Sequence, residues 1–292
     1  MKILNANPPY NLFGIENPDY KKAKVAVLPI PYDAATTYRG GARDGPHAII
    51  DASRNIELFS EELGGDASTI GIYTLDEMMP DLSGPEGMAN QIQKEVSILL
   101  DDGKVPLLLG GDHSIAIGSV RAVAKKHKDF TVLHFDAHSD SRVEYMNSKY
   151  CHACIMARAR EVCDSCYSIG VRSTDEDGFK RCKDSTIYRK DMYKMGIDGV
   201  VKDLLKKTKG RVYITIDVDV LDPSEMPSTG TPEPDGLSFY ELKSILKGVL
   251  EKRELIGMDI SELSPIGDIV APNYLVAKLL YLSLGFAFLN KK

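Results

Sequence analysis

The sequence predicts an α/β fold built on a mostly parallel sheet of about eight strands with helices on its faces. Two observations lead to this prediction. Short aliphatic and β-branched runs recur without the strict alternation of half-exposed strands, which is typical of strands covered on both faces. Segments with helical spacing separate many of these runs. The pattern alone fits a closed barrel as well as an open doubly wound sheet.

The strands are predicted where aliphatic and β-branched residues cluster between turn-forming residues. In chain order, the predicted strands are residues 25–31, 69–75, 105–110, 131–137, 167–172, 186–189, 211–220 and 255–260.

The helices are predicted where apolar residues recur with a helical period. These segments are residues 90–101, 115–127, 195–207 and 239–252. Residues 274–290 form a longer apolar stretch that contains Lys278, and we expect a buried terminal helix there rather than a membrane span.

Length and charge limit the classes of function. The chain has 292 residues, 36 Lys and Arg against 42 Asp and Glu, and a net charge of −6. This acidic balance disfavours a nucleic-acid-binding protein, which needs a basic face. The start of the chain lacks the apolar run of a signal peptide, and no membrane span is predicted. We therefore expect a cytoplasmic protein that binds neither nucleic acid nor membrane.

All five cysteines lie between Cys151 and Cys182, and four of them have the spacing C-x2-C-x8-C-x2-C (Cys151, Cys154, Cys163 and Cys166). An odd number of cysteines argues against a disulfide framework. Paired C-x2-C motifs are typical of zinc sites, although the central gap is shorter than usual. A zinc-binding interaction module is therefore one alternative, and a redox-sensitive pair or simple buried cysteines are the others.

Polar residues gather where the predicted strands end. Asp136, His138 and Asp140 alternate after one strand, so that an extended strand end would project all three to the same side. Asp217 and Asp219 follow another strand with the same spacing, and His113 follows two glycines after a third. Ligands of parallel α/β sheets bind at the carboxyl ends of strands, so we expect these motifs to converge.

Together these motifs supply four carboxylates and two imidazoles. Carboxylates that face each other repel unless a cation lies between them, and two divalent cations would offset four negative charges. An oxygen-rich site with a minority of imidazole suits Mn²⁺ better than a structural zinc ion. Paired metal ions can generate a nucleophilic hydroxide from water at neutral pH. The residues therefore predict a binuclear metallohydrolase, although each motif alone would also fit a polar loop.

The same residues carry a family resemblance. The motifs G-G-D-H-S, D-A-H-x-D and D-V-D-x-L-D-P-x-x-x-P-x-T-G-T-P resemble the metal signatures of the ureohydrolases, which include arginase, agmatinase and formiminoglutamase. Residues 38–46 and the segment S-E-L-S-P around Glu262 also resemble that family. The resemblance implies one domain over residues 1–292, with three layers and an open parallel sheet. It also implies two Mn²⁺ ions per subunit and a homo-oligomer, usually a trimer or hexamer.

The resemblance also implies roles for individual residues. Asp136 and Asp217 would bridge the two ions, His113 and Asp140 would complete one site, and His138 and Asp219 the other. Glu262 would bind the substrate guanidinium, and His152 would act in acid–base catalysis and contact the substrate. Asp219 would accept a proton from the nucleophile. At His152 the chain departs from the family pattern, because His152-Ala153 stands where many members have His-Gly.

The loop at residues 141–150 and the motif G-T-P-E-P-D-G-L at residues 230–237 resemble agmatinases more than arginases. Agmatine, cleaved to putrescine and urea, is therefore the expected substrate and points to polyamine synthesis. Aminopropylagmatine, arginine, guanidinobutyrate and formiminoglutamate are the alternatives. A small cationic guanidinium compound suits an acidic protein, but Arg142 and Lys149 would oppose it if they faced the pocket.

Overall fold

The computed structural model describes residues 7–289. Its main sheet has eight strands, all of them parallel to their neighbours. The strands are β1 (Val25–Ile30), β2 (Ile72–Thr74), β3 (Val105–Gly110), β4 (Thr131–Phe135), β5 (Cys166–Val171), β6 (Thr186–Tyr188), β7 (Arg211–Asp217) and β8 (Glu254–Ser261). Their order across the sheet is β2-β1-β3-β8-β7-β4-β5-β6. The sheet is open, as the family resemblance implies, and the barrel alternative is wrong.

The helices of the described residues fall between and after these strands. They are α1 (Gly45–Ser53), α2 (Pro85–Asp101), α3 (Ile115–Lys126), α4 (Ile155–Arg160), α5 (Glu176–Cys182), α6 (Arg189–Lys207), α7 (Phe239–Leu250) and α8 (Ala271–Phe288). A small antiparallel pair joins Phe59–Ser60 to Gly65–Asp66. Within residues 7–289, no helix combines the length and the apolar character needed to cross a bilayer.

Two hydrophobic clusters on opposite faces of the sheet produce a three-layer architecture. In β3, Leu107 and Leu109 face the cluster formed with α1, α6, α7 and α8, whereas Leu108 faces the one formed with α2, α3 and α4. Because both faces are covered, the strands are apolar throughout rather than alternating, as the sequence predicted.

Several predicted boundaries are wrong, and local capping explains one of them. Residues 67–70 form a 3-10 turn, not a strand, because the Asp66 side chain accepts a hydrogen bond from the backbone of Ser68 and Gly71 has a φ of +88°. The helix predicted from residue 195 begins at Arg189 and is interrupted at Gly196, where φ is +64°. The terminal helix begins at Ala271, and its predicted end at Asn290 lies outside the described residues. Residues 1–6 and 291–292 of the predicted single domain also lie outside them.

The order of the strands places the site. Strands β3, β8, β7 and β4 are neighbours at the centre of the sheet, and each is followed by one of the polar motifs. Ser261 of β8 is in register with Asp217 of β7, and Phe135 of β4 is in register with Ile216. The carboxyl ends of these four strands therefore meet, as expected.

Candidate metal centre

His113 faces three carboxylates at the carboxyl end of the sheet. Its Nδ1 atom lies 3.2 Å from Asp136 Oδ2, 3.5 Å from Asp140 Oδ2 and 3.4 Å from Asp217 Oδ2. His113 and Asp136 are fully buried, and the other two carboxylates are nearly so. Ligand atoms of His113, His134, Asp136 and Asp140 all lie within 4.8 Å of one another, close enough to hold one metal ion.

A second group of ligand atoms shares Asp136 with the first. Asp136, His138 and Asp219 also place ligand atoms within 4.8 Å of one another. The Nδ1 atom of His138 lies 2.9 Å from Asp219 Oδ2 and 3.5 Å from Asp136 Oδ1. Two adjacent groups with a common carboxylate are the arrangement that a binuclear centre requires.

Asp217 lies beside these groups but belongs to neither of them within the 4.8 Å limit. Its position 3.4 Å from His113 places it at the centre. Burial raises its pKa well above the usual value, and the nearby charges of Asp219 and Asp136 add to that effect. Its bridging role, like the individual roles of the other ligands, stays a prediction.

The expected alternation along a strand end is wrong for Asp136, His138 and Asp140. Strand β4 ends at Phe135, and the Oδ1 atom of Asp136 accepts the backbone N–H of His138 at 2.5 Å. Asp140 has a positive φ of 43°, which turns the chain back towards His113. The three side chains therefore converge through a tight turn, with His138 in one group and Asp140 in the other. Asp217 likewise accepts the backbone N–H of Asp219 at 2.9 Å.

The hydrogen bonds of His113 support a metal ion at this position. Its Nε2 atom is 2.8 Å from Thr215 Oγ1, whose hydroxyl donates to Asp259 at 2.7 Å. Since the Thr215 proton is engaged with Asp259, His113 Nε2–H is the donor to Thr215, and the neutral ring has its lone pair on Nδ1. That buried Nδ1 atom has no hydrogen-bond partner. A lone pair aimed at three carboxylates is repulsive unless a cation lies between them, so the residues fit a metal ion.

The charges of the site agree with this interpretation. Burial lowers the pKa of His113, but the carboxylates of Asp136, Asp140 and Asp217 outweigh it and raise that pKa well above its usual value when no cation is bound. Such buried carboxylates need either protons or cations, and a divalent ion supplies the larger charge in the smaller volume.

Glu262 and His152 both line a cavity of about 280 Å³ that also reaches Asp217 and Asp219. Glu262 has a positive φ of 65°, and its Oε1 atom accepts the backbone N–H of His113 at 2.8 Å. Burial raises its pKa well above the usual value, with a further contribution from Asp112. A cation in the cavity would therefore be paired with a half-buried carboxylate.

His152 enters the cavity from the short 3-10 turn His152–Cys154 that precedes α4. Its Nε2 atom is 2.9 Å from Thr37 Oγ1, and its buried Nδ1 atom has no partner. The ring packs edge-on against Tyr145, with 6.0 Å between the ring centres. His152 is therefore held in place by its neighbours, and its role in proton transfer stays a prediction.

Two further residues, His134 and Arg172, hold the ligands in place. The Nε2 atom of His134 lies 2.8 Å from Asp136 Oδ2. Arg172 donates to the backbone carbonyls of Asp219 at 2.7 Å and Glu233 at 2.9 Å, which ties the Asp219 turn to the next loop. Neither contact has a local signal in the sequence.

Four of the five cysteines form two separate pairs. Cys151 and Cys154 belong to one small buried cluster, whereas Cys163 and Cys166 pack in the larger cluster under α2 and α3. All five cysteines are free and buried. Among residues 7–289, no group of three or more potential ligands contains a cysteine. The alternative of a zinc module built on these cysteines is therefore not supported.

Comparisons with known proteins extend over most of the chain. The model of a family described as "Arginase family" matches residues 23–285. An N(1)-aminopropylagmatine ureohydrolase of Thermus thermophilus is 36% identical over 276 residues, which are 94% of each chain. An agmatinase of Bacillus anthracis is 32% identical over 259 residues, covering 86% of this chain and 87% of that one. The crystal structure of agmatine ureohydrolase of Thermoplasma volcanium superimposes with a TM-score of 0.86 at 35% identity, covering 92% of each chain.

Proposed function

The chain belongs to the arginase family of ureohydrolases, and from that premise we propose that it hydrolyses agmatine to putrescine and urea with two Mn²⁺ ions. The observation that carries the proposal is the shared carboxylate Asp136, which joins two groups of ligand atoms beside the cavity that contains Glu262.

Two divalent ions would be held by His113, Asp136, His138, Asp140, Asp217 and Asp219. When bound, they would lower the pKa of a water molecule, so that it can lose a proton and attack the guanidinium carbon at neutral pH. We propose Mn²⁺ because oxygen ligands outnumber imidazole nitrogens in this set, which suits a harder ion than zinc.

Glu262 would hold the guanidinium group of the substrate. One of its oxygens accepts the backbone N–H of His113 at 2.8 Å, which orients the carboxylate before a substrate binds. A carboxylate that is oriented before binding pairs with a planar guanidinium at a lower entropic cost than a free one.

The reaction adds water across the guanidinium carbon and breaks one C–N bond, so a proton must leave the water and another must reach the amine. We assign the first proton to Asp219, whose Oδ1 atom is anchored by the backbone of Ala137 at 3.1 Å and which lines the cavity. We assign delivery to the leaving amine to His152, because it lines the same cavity as Glu262 and its Nδ1 atom is unpartnered.

The cationic tail of agmatine would pass Arg142, which lines the cavity. The sequence alone had left open whether this residue faces the pocket. Arg142 does not present an isolated charge, because its Nε atom is 3.6 Å from Asp175 and its guanidinium lies over the ring of Tyr145 at 5.0 Å. Lys149 is not among the residues that line the cavity. These contacts therefore reduce the repulsion anticipated for a second positive charge on the substrate.

N(1)-aminopropylagmatine is a second candidate substrate. The observation that favours it is that relatives of 36% identity from Thermus thermophilus and 34% from Synechocystis bear that name. This substrate has the same guanidinium end as agmatine, so the two candidates share the roles of Glu262 and His152 and differ only at the tail.

A side-by-side urea-release assay tests the proposal. The Mn²⁺-loaded protein is incubated with agmatine, N(1)-aminopropylagmatine and arginine over a range of concentrations, and kcat/KM is measured for each. We expect agmatine to give the highest value. A higher value for N(1)-aminopropylagmatine would select the second candidate, and a preference for arginine or no urea from any of the three would contradict both.

A further inference from the structure

Cys151 and Cys154 lie at the point where the cavity meets α4. Their sulfur atoms are 3.5 Å apart, and the backbone N–H of Cys154 donates to the carbonyl of Cys151 at 3.0 Å. A disulfide has a sulfur–sulfur distance of about 2.05 Å, so the two sulfurs would need to approach by about 1.5 Å. The two side chains are thus oriented towards each other across one turn of the chain.

We propose that Cys151 and Cys154 form a reversible disulfide with a small peroxide as oxidant, and that this bond moves His152 and slows the enzyme. The effect on turnover rests on the proposed function, whereas formation of the bond does not. His152 is one of the two residues enclosed between the cysteines, so closing the ring constrains the backbone segment that carries it.

Contacts of the two thiols extend the effect to the wall of the cavity. Both sulfurs point at the carbonyl of Ser148, at 3.8 Å and 3.7 Å, and Cys151 Sγ also lies 3.7 Å from the carbonyl of Tyr145. Tyr145 and Ser148 pair through two backbone hydrogen bonds of 2.9 Å, and Tyr145 packs against His152. A contraction at the sulfurs would therefore displace both sides of the contact that positions the histidine.

The chemistry of the pair favours Cys151 as the attacking thiol. A hydrogen bond from Cys154 lowers the pKa of Cys151, with help from the backbone N–H of Ala153, although burial opposes it. Cys154 has its pKa raised by the same hydrogen bond and by burial, so it stays protonated. One acidic thiol beside one protonated thiol is the arrangement in which a first oxidation is resolved by the second cysteine.

Hydrogen peroxide would oxidise Cys151 and Cys154 to the disulfide in two steps. The Cys151 thiolate attacks one oxygen of hydrogen peroxide, the O–O bond breaks, and Cys151 becomes a sulfenic acid while the second oxygen leaves as hydroxide. The Cys154 thiol then attacks the sulfenic sulfur, the S–O bond breaks, and water leaves with the Cys154 proton. The two sulfurs together lose two electrons, which the peroxide accepts, and a thiol reductant reverses the change.

The second cysteine pair provides a control. Cys163 and Cys166 lie at the amino end of β5, away from the cavity, and the pKa of Cys163 is lowered to about 7 by its hydrogen bond with Cys166. Oxidation of that pair would therefore be chemically plausible, but it would not move His152.

Thiol mapping of the metal-loaded wild-type enzyme tests the bond. After brief treatment with hydrogen peroxide, remaining thiols are alkylated and the protein is cut with trypsin, which releases residues 150–158 and residues 161–172 as separate peptides. We expect the first peptide to lose two hydrogen atoms and to regain them after reduction. Two alkylated cysteines in that peptide after treatment, or a bond only in residues 161–172, would overturn the proposal.

Turnover by the same samples tests the consequence. We expect kcat to fall by about tenfold or more with the bond and to recover on reduction, since displacement of a catalytic group by about 1 Å can cost that much. Cys151→Ser should resist the loss, and the matched variant Cys163→Ser should show it. A mapped bond with unchanged kcat would refute the effect on His152. If Cys151→Ser does not fold, Cys154→Ala makes the same comparison. If the reduced enzyme releases no urea from the substrate, that result contradicts the proposed function and not the formation of the bond.

Discussion

Thr215→Val is the substitution that most directly probes how the fold prepares its ligands. Thr215 is fully buried in β7 and connects His113 to Asp259 through two hydrogen bonds of 2.8 Å and 2.7 Å. Valine has nearly the same shape as threonine, so packing is preserved while both hydrogen bonds are lost. The variant leaves His113 Nε2–H without an acceptor and removes one donor from the buried Asp259 carboxylate, which retains Tyr213.

The size of the effect follows from these two losses. An unsatisfied buried donor costs about 1–3 kcal/mol, and a hydrogen bond to a charged group contributes about 1.5–3 kcal/mol. We therefore expect Thr215→Val to lower the free energy of unfolding of the metal-free protein by about 3–5 kcal/mol. Because His113 also loses the contact that keeps its lone pair on Nδ1, the affinity for Mn²⁺ should fall by about 10- to 100-fold.

Chemical denaturation and a Mn²⁺ titration measure the two effects separately. Thr131→Val is the matched control, since Thr131 is equally buried but lies at the amino end of β4 and accepts the backbone N–H of Lys209 at 3.0 Å. It should lose stability without losing Mn²⁺ affinity. If Thr215→Val bound Mn²⁺ as tightly as the wild type, or if Thr131→Val weakened binding equally, the reasoning about His113 would be refuted.

Three further predictions concern the substrate, the pH dependence and the loops. Glu262→Gln should lower kcat/KM by about 30-fold or more while both metal ions stay bound, because the charge pair with the guanidinium is lost. Steady-state kinetics and metal analysis of the variant check this, and an unchanged kcat/KM would contradict it. Burial raises the pKa of Glu241, but hydrogen bonds from Arg189 hold it below the usual 4.5. Glu241→Gln should therefore cost about 1–2 kcal/mol at pH 7. This difference in the free energy of unfolding should shrink as the pH falls through the lowered pKa of Glu241, because the wild-type carboxylate then also becomes neutral. Denaturation curves measured from pH 7 to acid check this, and a constant difference would contradict it. Arg172→Ala should lower the free energy of unfolding by about 3 kcal/mol by leaving buried carbonyls unpaired, and an effect under about 0.5 kcal/mol in denaturant titrations would contradict that.

The sequence predicted the sheet well because buried parallel strands have a strong local signal. All eight predicted runs overlap a strand of the main sheet, and the polar motifs follow the four strands at its centre. The short helices α1, α4 and α5 were not predicted, since 9, 6 and 7 residues hold too few turns for a clear period. Strand order depends on contacts between distant segments, and only the family resemblance pointed to an open sheet.

The sequence also located the candidate ligands but not their geometry. Asp136, His138 and Asp140 are identifiable because they follow a predicted parallel strand, and ligands of such sheets bind at the carboxyl ends of strands. Their division between two groups depends on the side-chain hydrogen bond within the turn and on the positive φ of Asp140, which spacing does not reveal. Thr215 and Asp259 lie inside strands and contact His113 from elsewhere in the chain, so nothing near them marks their role.

The central claim is that one carboxylate, Asp136, is shared by two metal ions. Equilibrium dialysis with Mn²⁺ tests it most directly, with the wild type, Asp136→Asn and the control Asp222→Asn, whose carboxylate lies outside both ligand groups. We expect two ions per chain for the wild type and the control, and the loss of both high-affinity sites together in Asp136→Asn. Retention of two tightly bound ions by Asp136→Asn would contradict it.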